Sequence, residues 1–200
     1  MENIQILIGA KMKKQLFISL INIIGILVIT GCAAAYVDGP YEGRVIDADT
    51  GQPVEGVVVL GIWNTVIVTP GGGTHNFYDA QETVTDKNGD FKIKGLGLVI
   101  MSNISPLDVL IFKAGYEQLI NGPWASLKMD LLLRKIIKWE GIKAIIPLRK
   151  LSMDERRKLH SPSFSSQIPE AKMRLMLEEI NKDRVERGLD PYRLRGGNNV

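Results

Sequence analysis

Apolar and polar positions along this chain fall into three regimes. Leu16 to Ile29 is apolar, interrupted only by Ser19, Asn22 and Gly25. From Tyr41 to Lys150 short runs rich in β-branched residues alternate with turn chemistry, and from Leu151 apolar positions recur at helical spacing. In the middle regime, Tyr41–Asp47 predicts a first strand, followed by a loop over 47–53 in which aspartates cap turns and Gly51 supplies positive φ. Val54–Trp63 predicts a second strand, which Val66-Ile67-Val68 either extends or follows. Thr69 to Ala80, with Pro70-Gly71-Gly72-Gly73, reads as a flexible loop. Gln81–Thr85 and Phe91–Lys94 read as a hairpin around Asn88-Gly89, with Phe91 and Ile93 on one face and Lys92 and Lys94 on the other. Leu98–Met101, Asp108–Lys113, Tyr116–Ile120 and Ala144–Lys150 supply further strands. Several short strands at this spacing predict a mainly β chain folded as a sandwich.

The last regime is helical. Ser152-Met153-Asp154-Glu155 fits a capping box, opening a brief helix that ends near His160. A second helix is expected from Pro169 to Arg187, with Gly188 as terminator. Met173, Met176, Leu177 and Ile180 form one narrow stripe, better suited to packing on its own domain than to gripping a partner. Asn181-Lys182-Asp183-Arg184 and Gly196–Val200 read as solvated. Residues 121–141, with Trp124, Trp139, Leu131-Leu132-Leu133 and several basic side chains, read as an insertion before the closing strand, with a short helix. It is either a surface for lipid headgroups or, the favoured reading, a connector whose basic stems cover apolar area.

Lys11, Lys13 and Lys14 ahead of the first apolar run, and small residues behind it, make a secretory signal. Ile29-Thr30-Gly31-Cys32 also resembles the bacterial lipoprotein signal, or lipobox: an aliphatic residue, two small ones, then cysteine. That resemblance implies cleavage between Gly31 and Cys32, diacylglycerol on the Cys32 sulfur and a further acyl chain on the new amino terminus. Two or three chains anchor stably where one does not. An uncleaved membrane helix is the competing reading, but a run of about 14 residues falls short of the roughly 20 that span a bilayer. A buried structural cysteine is the third. Translation begins at Met1 or at Met12, whose Met12-Lys13-Lys14 opening suits a bacterial signal. Ala33, not aspartate, after the cysteine fits sorting to the periplasmic side of the outer membrane in a Gram-negative envelope. The expected organisation is a signal peptide over 1–31, a tether over 32–40, a β-domain over 41–150 and a helical extension over 151–200.

Three further motifs carry a family resemblance. Gly43-Arg44-Val45-Ile46-Asp47 with Thr50-Gly51-Gln52-Pro53-Val54-Glu55-Gly56-Val57-Val58-Val59, then Thr85-Asp86-Lys87-Asn88-Gly89-Asp90-Phe91, then Lys113-Ala114-Gly115-Tyr116-Glu117 resemble carboxypeptidase regulatory-like domains in the family's order. The resemblance covers about 41–120 and implies a transthyretin-like sandwich of about seven strands. It implies no chemistry: the family's domain is a non-catalytic companion of metallocarboxypeptidases, and one fold hosts many functions. Past Ile120 the chain departs from the pattern.

Composition narrows the function classes. The net charge of +3 includes +2 from the leader, so residues 32–200 are close to neutral, and nothing approaches the basic density of a nucleic-acid binder. Charge is nevertheless segregated, with 5 basic and 10 acidic residues over 41–127 against 7 and 2 over 128–150. With one cysteine no internal disulfide can form, and the fold must rest on an apolar core. The two histidines, His75 and His160, lack zinc-ligand spacing. Asp86, Asn88 and Asp90 lack the rest of a calcium loop, and Gly71-Gly72-Gly73 lacks the lysine of a phosphate loop. Trp63, His75, Phe77 and Tyr78 flank the glycine-rich stretch and form a candidate edge for stacking on a glycan or peptide. The expectation is a lipid-anchored, non-enzymatic envelope protein without cofactor or metal. Its sandwich would serve as an interaction or structural module for another envelope protein or a glycan. The alternatives are a carbohydrate- or peptide-binding lipoprotein and an accessory subunit of an envelope hydrolase.

Overall fold

A computed structural model describes residues 14–15, 17–19, 35–69, 72–100, 103–129 and 136–192. The chain divides into two compact units, one of 1–37 with 98–102 and one of 38–97 with 103–200. In the first, β1 (Ala35–Asp38) pairs with β6 (Gly97–Ile100) as a two-stranded ribbon, with the bounding residues Asp38 and Gly97 assigned to the second unit. Lys14, Gln15 and Phe17 to Ser19 are helical.

The second unit is a β-sandwich with a C-terminal helical extension. One sheet contains β2 (Tyr41–Asp47), β5 (Asp90–Ile93), β9 (Lys138–Glu140) and β10 (Lys143–Leu148) in the order β5-β2-β10-β9. The other contains β3 (Val58–Thr69), β4 (Gly72–Val84), β7 (Asp108–Phe112) and β8 (Leu119–Pro123) in the order β4-β3-β7-β8. The closing strand β10 runs parallel to β2, with Ala144 opposite Gly43 and Ile146 opposite Val45. These inward residues, with Trp63, Ile93, Leu107, Val109, Ile111 and Trp124, form the core between the sheets.

The strands differ in pattern because their sheets differ in cover. Along β10 burial alternates, so Ala144, Ile146 and Leu148 face the core while Lys143, Ile145 and Pro147 are half-exposed. In β3 and β7 it does not. Val59, Trp63, Val109 and Ile111 face the other sheet, while Val58, Leu60, Ile62, Leu110 and Phe112 form a second apolar cluster on the opposite face. A strand buried on both faces reads as a continuous apolar run.

Two loop expectations are corrected. The stretch 72–80 is strand, and β3 and β4 form one long hairpin, with Thr69 opposite Gly72 and Val58 opposite Val84. Val66 to Val68 therefore extend β3 directly. The Asn88-Gly89 segment, in turn, does not tip a hairpin. β4 pairs with β3 and β5 with β2, so the turn carries the chain from one sheet to the other. Asp86 Oδ1 accepts the amides of Asn88 and Asp90, and Gly89 at φ 73° passes so close to Val45 that a Cβ would stand 2.3 Å from its carbonyl oxygen. The turn chemistry and the two flanking strands were legible, but their partners were not.

The connector after β8 places Trp124, Leu127 and Ile137 in the core, with α1 (Ser126–Met129) between them. Trp124 meets Tyr41, Phe91 and Trp139 edge-on, and Lys128 stands over the Trp139 ring. Trp124 is thus a core residue, and the Lys128 ammonium stands 4.1 Å from the centre of the Trp139 ring as a cation–π contact. Leu131 to Leu133 lie outside the described residues.

The tail folds back on the sandwich. α2 (Met153–Lys158) opens with the expected capping box, Ser152 and Glu155 each accepting from the other's backbone. A 3-10 turn, Glu170–Lys172, precedes α3 (Arg174–Glu186), which ends ahead of Gly188 at φ 79°. The stripe Met173, Met176, Leu177 and Ile180 packs against the outer cluster of β3 and β7. The helix starts later than Pro169 because its amino end is satisfied from outside: Glu82 of β4 accepts the amides of Leu175 and Met176 at 3.0 and 2.7 Å.

Candidate functional site

The expected ligand edge lies on the β3–β4 hairpin, and the structure splits it. Trp63 is wholly buried between the sheets, so it belongs to the core and not to the edge. The other three residues sit on β4 where the ladder shifts register: Asp79 pairs with Trp63 and Phe77 with Asn64, leaving Tyr78 as the extra residue of a bulge. The bulge turns Phe77 onto the outer apolar cluster, against which Phe164 of the tail also packs, and leaves Tyr78 half-exposed. His75, opposite Val66, is exposed. The free edge of β4 is also engaged, since Gln167 Oε1 accepts the Phe77 amide at 3.0 Å and Lys172 pairs with Asp79 at 2.8 Å. What remains is a small His75–Tyr78 surface flanked by the tail.

Near it, Asp108 of β7 is partly buried, and loss of hydration pushes its carboxyl above the usual value. The Asn64 amide donates to it at 3.4 Å, and His75 charge pulls it back to a lesser extent. Glu82 is likewise raised by desolvation, against the two helix amides that it accepts. Among the described residues no group of three or more His, Cys, Asp or Glu converges to hold a metal ion.

The tail covers a second polar cluster that the sequence reading placed in solvent. Asp183 is buried, accepts from Arg156 at 2.6 and 3.0 Å, and is shared with Arg187 at 3.0 Å. Glu186 adds a bond to Arg156 at 2.6 Å, and Arg187 also donates to the Leu159 carbonyl. A cavity of about 20 Å³ beside this cluster, lined by Tyr116, His160 and Arg187 among others, has room for one water-sized molecule and not for an organic substrate. A signal existed for this cluster: Asp183 and Arg187 continue the spacing of Met176 and Ile180 down the buried stripe.

The remaining broad surface is the outer face of the β5-β2-β10-β9 sheet, whose half-exposed residues include Glu42, Arg44, Ile46 and Ile145. Asp90 bridges Arg44 at 2.6 Å and Lys143 at 2.7 Å, and the Arg44 hydrogen bond holds its carboxyl down to about 2. A shallow groove of about 330 Å³ runs beside this trio, lined by Ile46, Pro53, Asn88, Glu140 and Ile145 with Arg44. Its chemistry is that of a mixed-charge contact surface with apolar spots.

Gly31 and Cys32, the expected cleavage and acylation site, lie outside the described residues. Among the described residues no helix is long and apolar enough to cross a membrane.

No known protein family and no curated protein matches the chain. Among solved structures it is similar to 3-chlorocatechol 1,2-dioxygenase from Rhodococcus opacus 1CP, at 18% identity and a TM-score of 0.32, over 60% of this chain and 62% of that one. It is also similar to a 9R-lipoxygenase from Cyanothece PCC8801, at 11% identity and a TM-score of 0.28, over 72% of this chain and 22% of that one. The chain spans less than two thirds of either structure, and likenesses this loose carry no functional argument.

Proposed function

We propose that the chain is a lipid-anchored, non-catalytic protein of the bacterial cell envelope, with its sandwich serving as an interaction or structural module. The observation that carries this is the basic, apolar leader ending in Ile29-Thr30-Gly31-Cys32. The three motifs resembling carboxypeptidase regulatory-like domains support a transthyretin-like module of the kind used for contact and not for chemistry. The fold is compatible with such a role: the tail covers one outer sheet face and leaves the other, around Arg44, Asp90 and Ile145, for a neighbour. The proposed setting is the periplasmic side of the outer membrane, with another envelope protein or a glycan as partner. Growth of producing cells with labelled palmitate tests the anchor. The label should enter the wild-type protein and be lost in Cys32→Ala; label that survives this substitution refutes acylation at that sulfur.

A glycan- or peptide-binding reading keeps one observation in its favour, the exposed pair His75 and Tyr78 beside the β4 bulge. Peptidoglycan pulldown lost on His75→Ala/Tyr78→Ala would support it, and unchanged binding would remove this edge from consideration.

A further inference from the structure

The β1–β6 ribbon shows apolar side chains to solvent at unusual density. Val37 is 72% exposed, Leu98 65% and Ile100 61%, and Tyr36 adds a partly exposed ring. Leu98 and Ile100 are two apart on one strand and share a face, with the buried Val99 between them on the other. The one charged residue of either strand, Asp38, is buried, its carboxylate accepting the Tyr41 hydroxyl at 2.6 Å and the Leu96 amide at 2.9 Å. The outer surface of the ribbon therefore holds no ionised group that would resist leaving water. A patch of this kind marks a contact site.

Chain connectivity selects the occupant. Cys32 precedes Ala35, the first residue of β1, by three positions. Even fully extended, three residues span about 11 Å. The polar headgroup layer of a bilayer is about 5–8 Å deep on each side. An acylated Cys32 sits in that layer, so the ribbon starts at most one short step above it. We infer that the exposed apolar side chains of the β1–β6 ribbon, Val37, Leu98 and Ile100, lie in the membrane interface among the headgroups and upper acyl chains. This rests on the acylation of Cys32 proposed above, and it adds a second membrane contact beside the lipid anchor.

The test uses acylated mature protein in vesicles of phosphatidylethanolamine and phosphatidylglycerol. Single-cysteine reporters L98C and V37C, with K87C in the turn between β4 and β5 as control, are labelled with an environment-sensitive fluorophore; acylated Cys32 offers no free thiol. Emission at 98 and 37 should shift to the blue and be quenched by brominated acyl chains, while the label at 87 stays wet and unquenched. Quenching at 98 and 37 no greater than at 87, with acyl mass present on Cys32, overturns the ribbon contact and leaves the anchor standing. A blue shift without bromine quenching places a second copy on the ribbon and also overturns the inference. A bare Cys32 thiol in the intact mass removes the anchor and this inference together.

Discussion

Thr85 is among the few polar side chains in the core, and one hydroxyl there serves two backbone groups. It accepts the Val57 amide at 2.8 Å and donates to the Val54 carbonyl at 2.7 Å, fixing the chain that enters β3. Thr85→Val keeps the shape and strands both groups in an apolar setting, so stability should fall by about 1–3 kcal/mol in urea melts. A change within a few tenths would mean that water reaches them. Thr85 was legible only as a strand end beside a turn, because its partners lie 28 and 31 residues away and no local pattern encodes such a bond. The same limit explains Trp63. Its letters fit a stacking edge or a core equally well, and the choice depends on which face of β3 meets the other sheet. Ser152 and Glu155, whose bonds are local, were read correctly from spacing alone.

Helix α3 is held at both ends by charges drawn from other elements. Glu82 on β4 takes its first free amides, and Arg156 on α2 meets Asp183 near its last turn. Removing one member of a buried pair costs more than the pair contributes, because the other charge stays behind. Asp183→Ala should therefore lower stability by about 3–5 kcal/mol, whereas Asp183→Leu with Arg156→Met and Arg187→Met, which removes both cations that share the carboxylate, should recover much of that loss. Equal losses in both variants would show that the cluster itself, and not the orphaned charge, stabilises the tail. Strands with one wet face, such as β10, were legible from alternation, and so was the α3 stripe. The outer half of β4 was not. Its exposed polar residues and glycines carry no burial pattern, and pairing alone makes it a strand.

Acid should loosen the whole molecule in a defined window. Asp90 is held at about 2 by Arg44 and Glu155 at about 2 by Arg149, against ordinary values of 3.8 and 4.5. Both carboxyls are depressed in the folded state, so their contribution is complete above pH 4.5 and is lost as pH falls towards about 2. Glu82 and Asp108, raised by desolvation, act in the opposite sense: they favour the fold when protonated and lose that contribution as pH rises through their folded values. Thermal melts across the acid range should show a decline in the wild type that is shallower in Arg44→Ala/Arg149→Ala; an unchanged slope would remove these two pairs as its cause. At this scale the first thirty-two residues carry the proposed address, while a partner has no signature in one chain, because a contact face needs only shape and mixed charge. What is joined to the Cys32 sulfur separates an anchored protein from an unanchored one, and the intact mass of protein extracted from cell membranes reads that directly. The expected species begins at Cys32 and carries a diacylglyceryl group with an added acyl chain; a species that retains residues 1–31, or that shows a bare thiol at Cys32, would contradict the anchor.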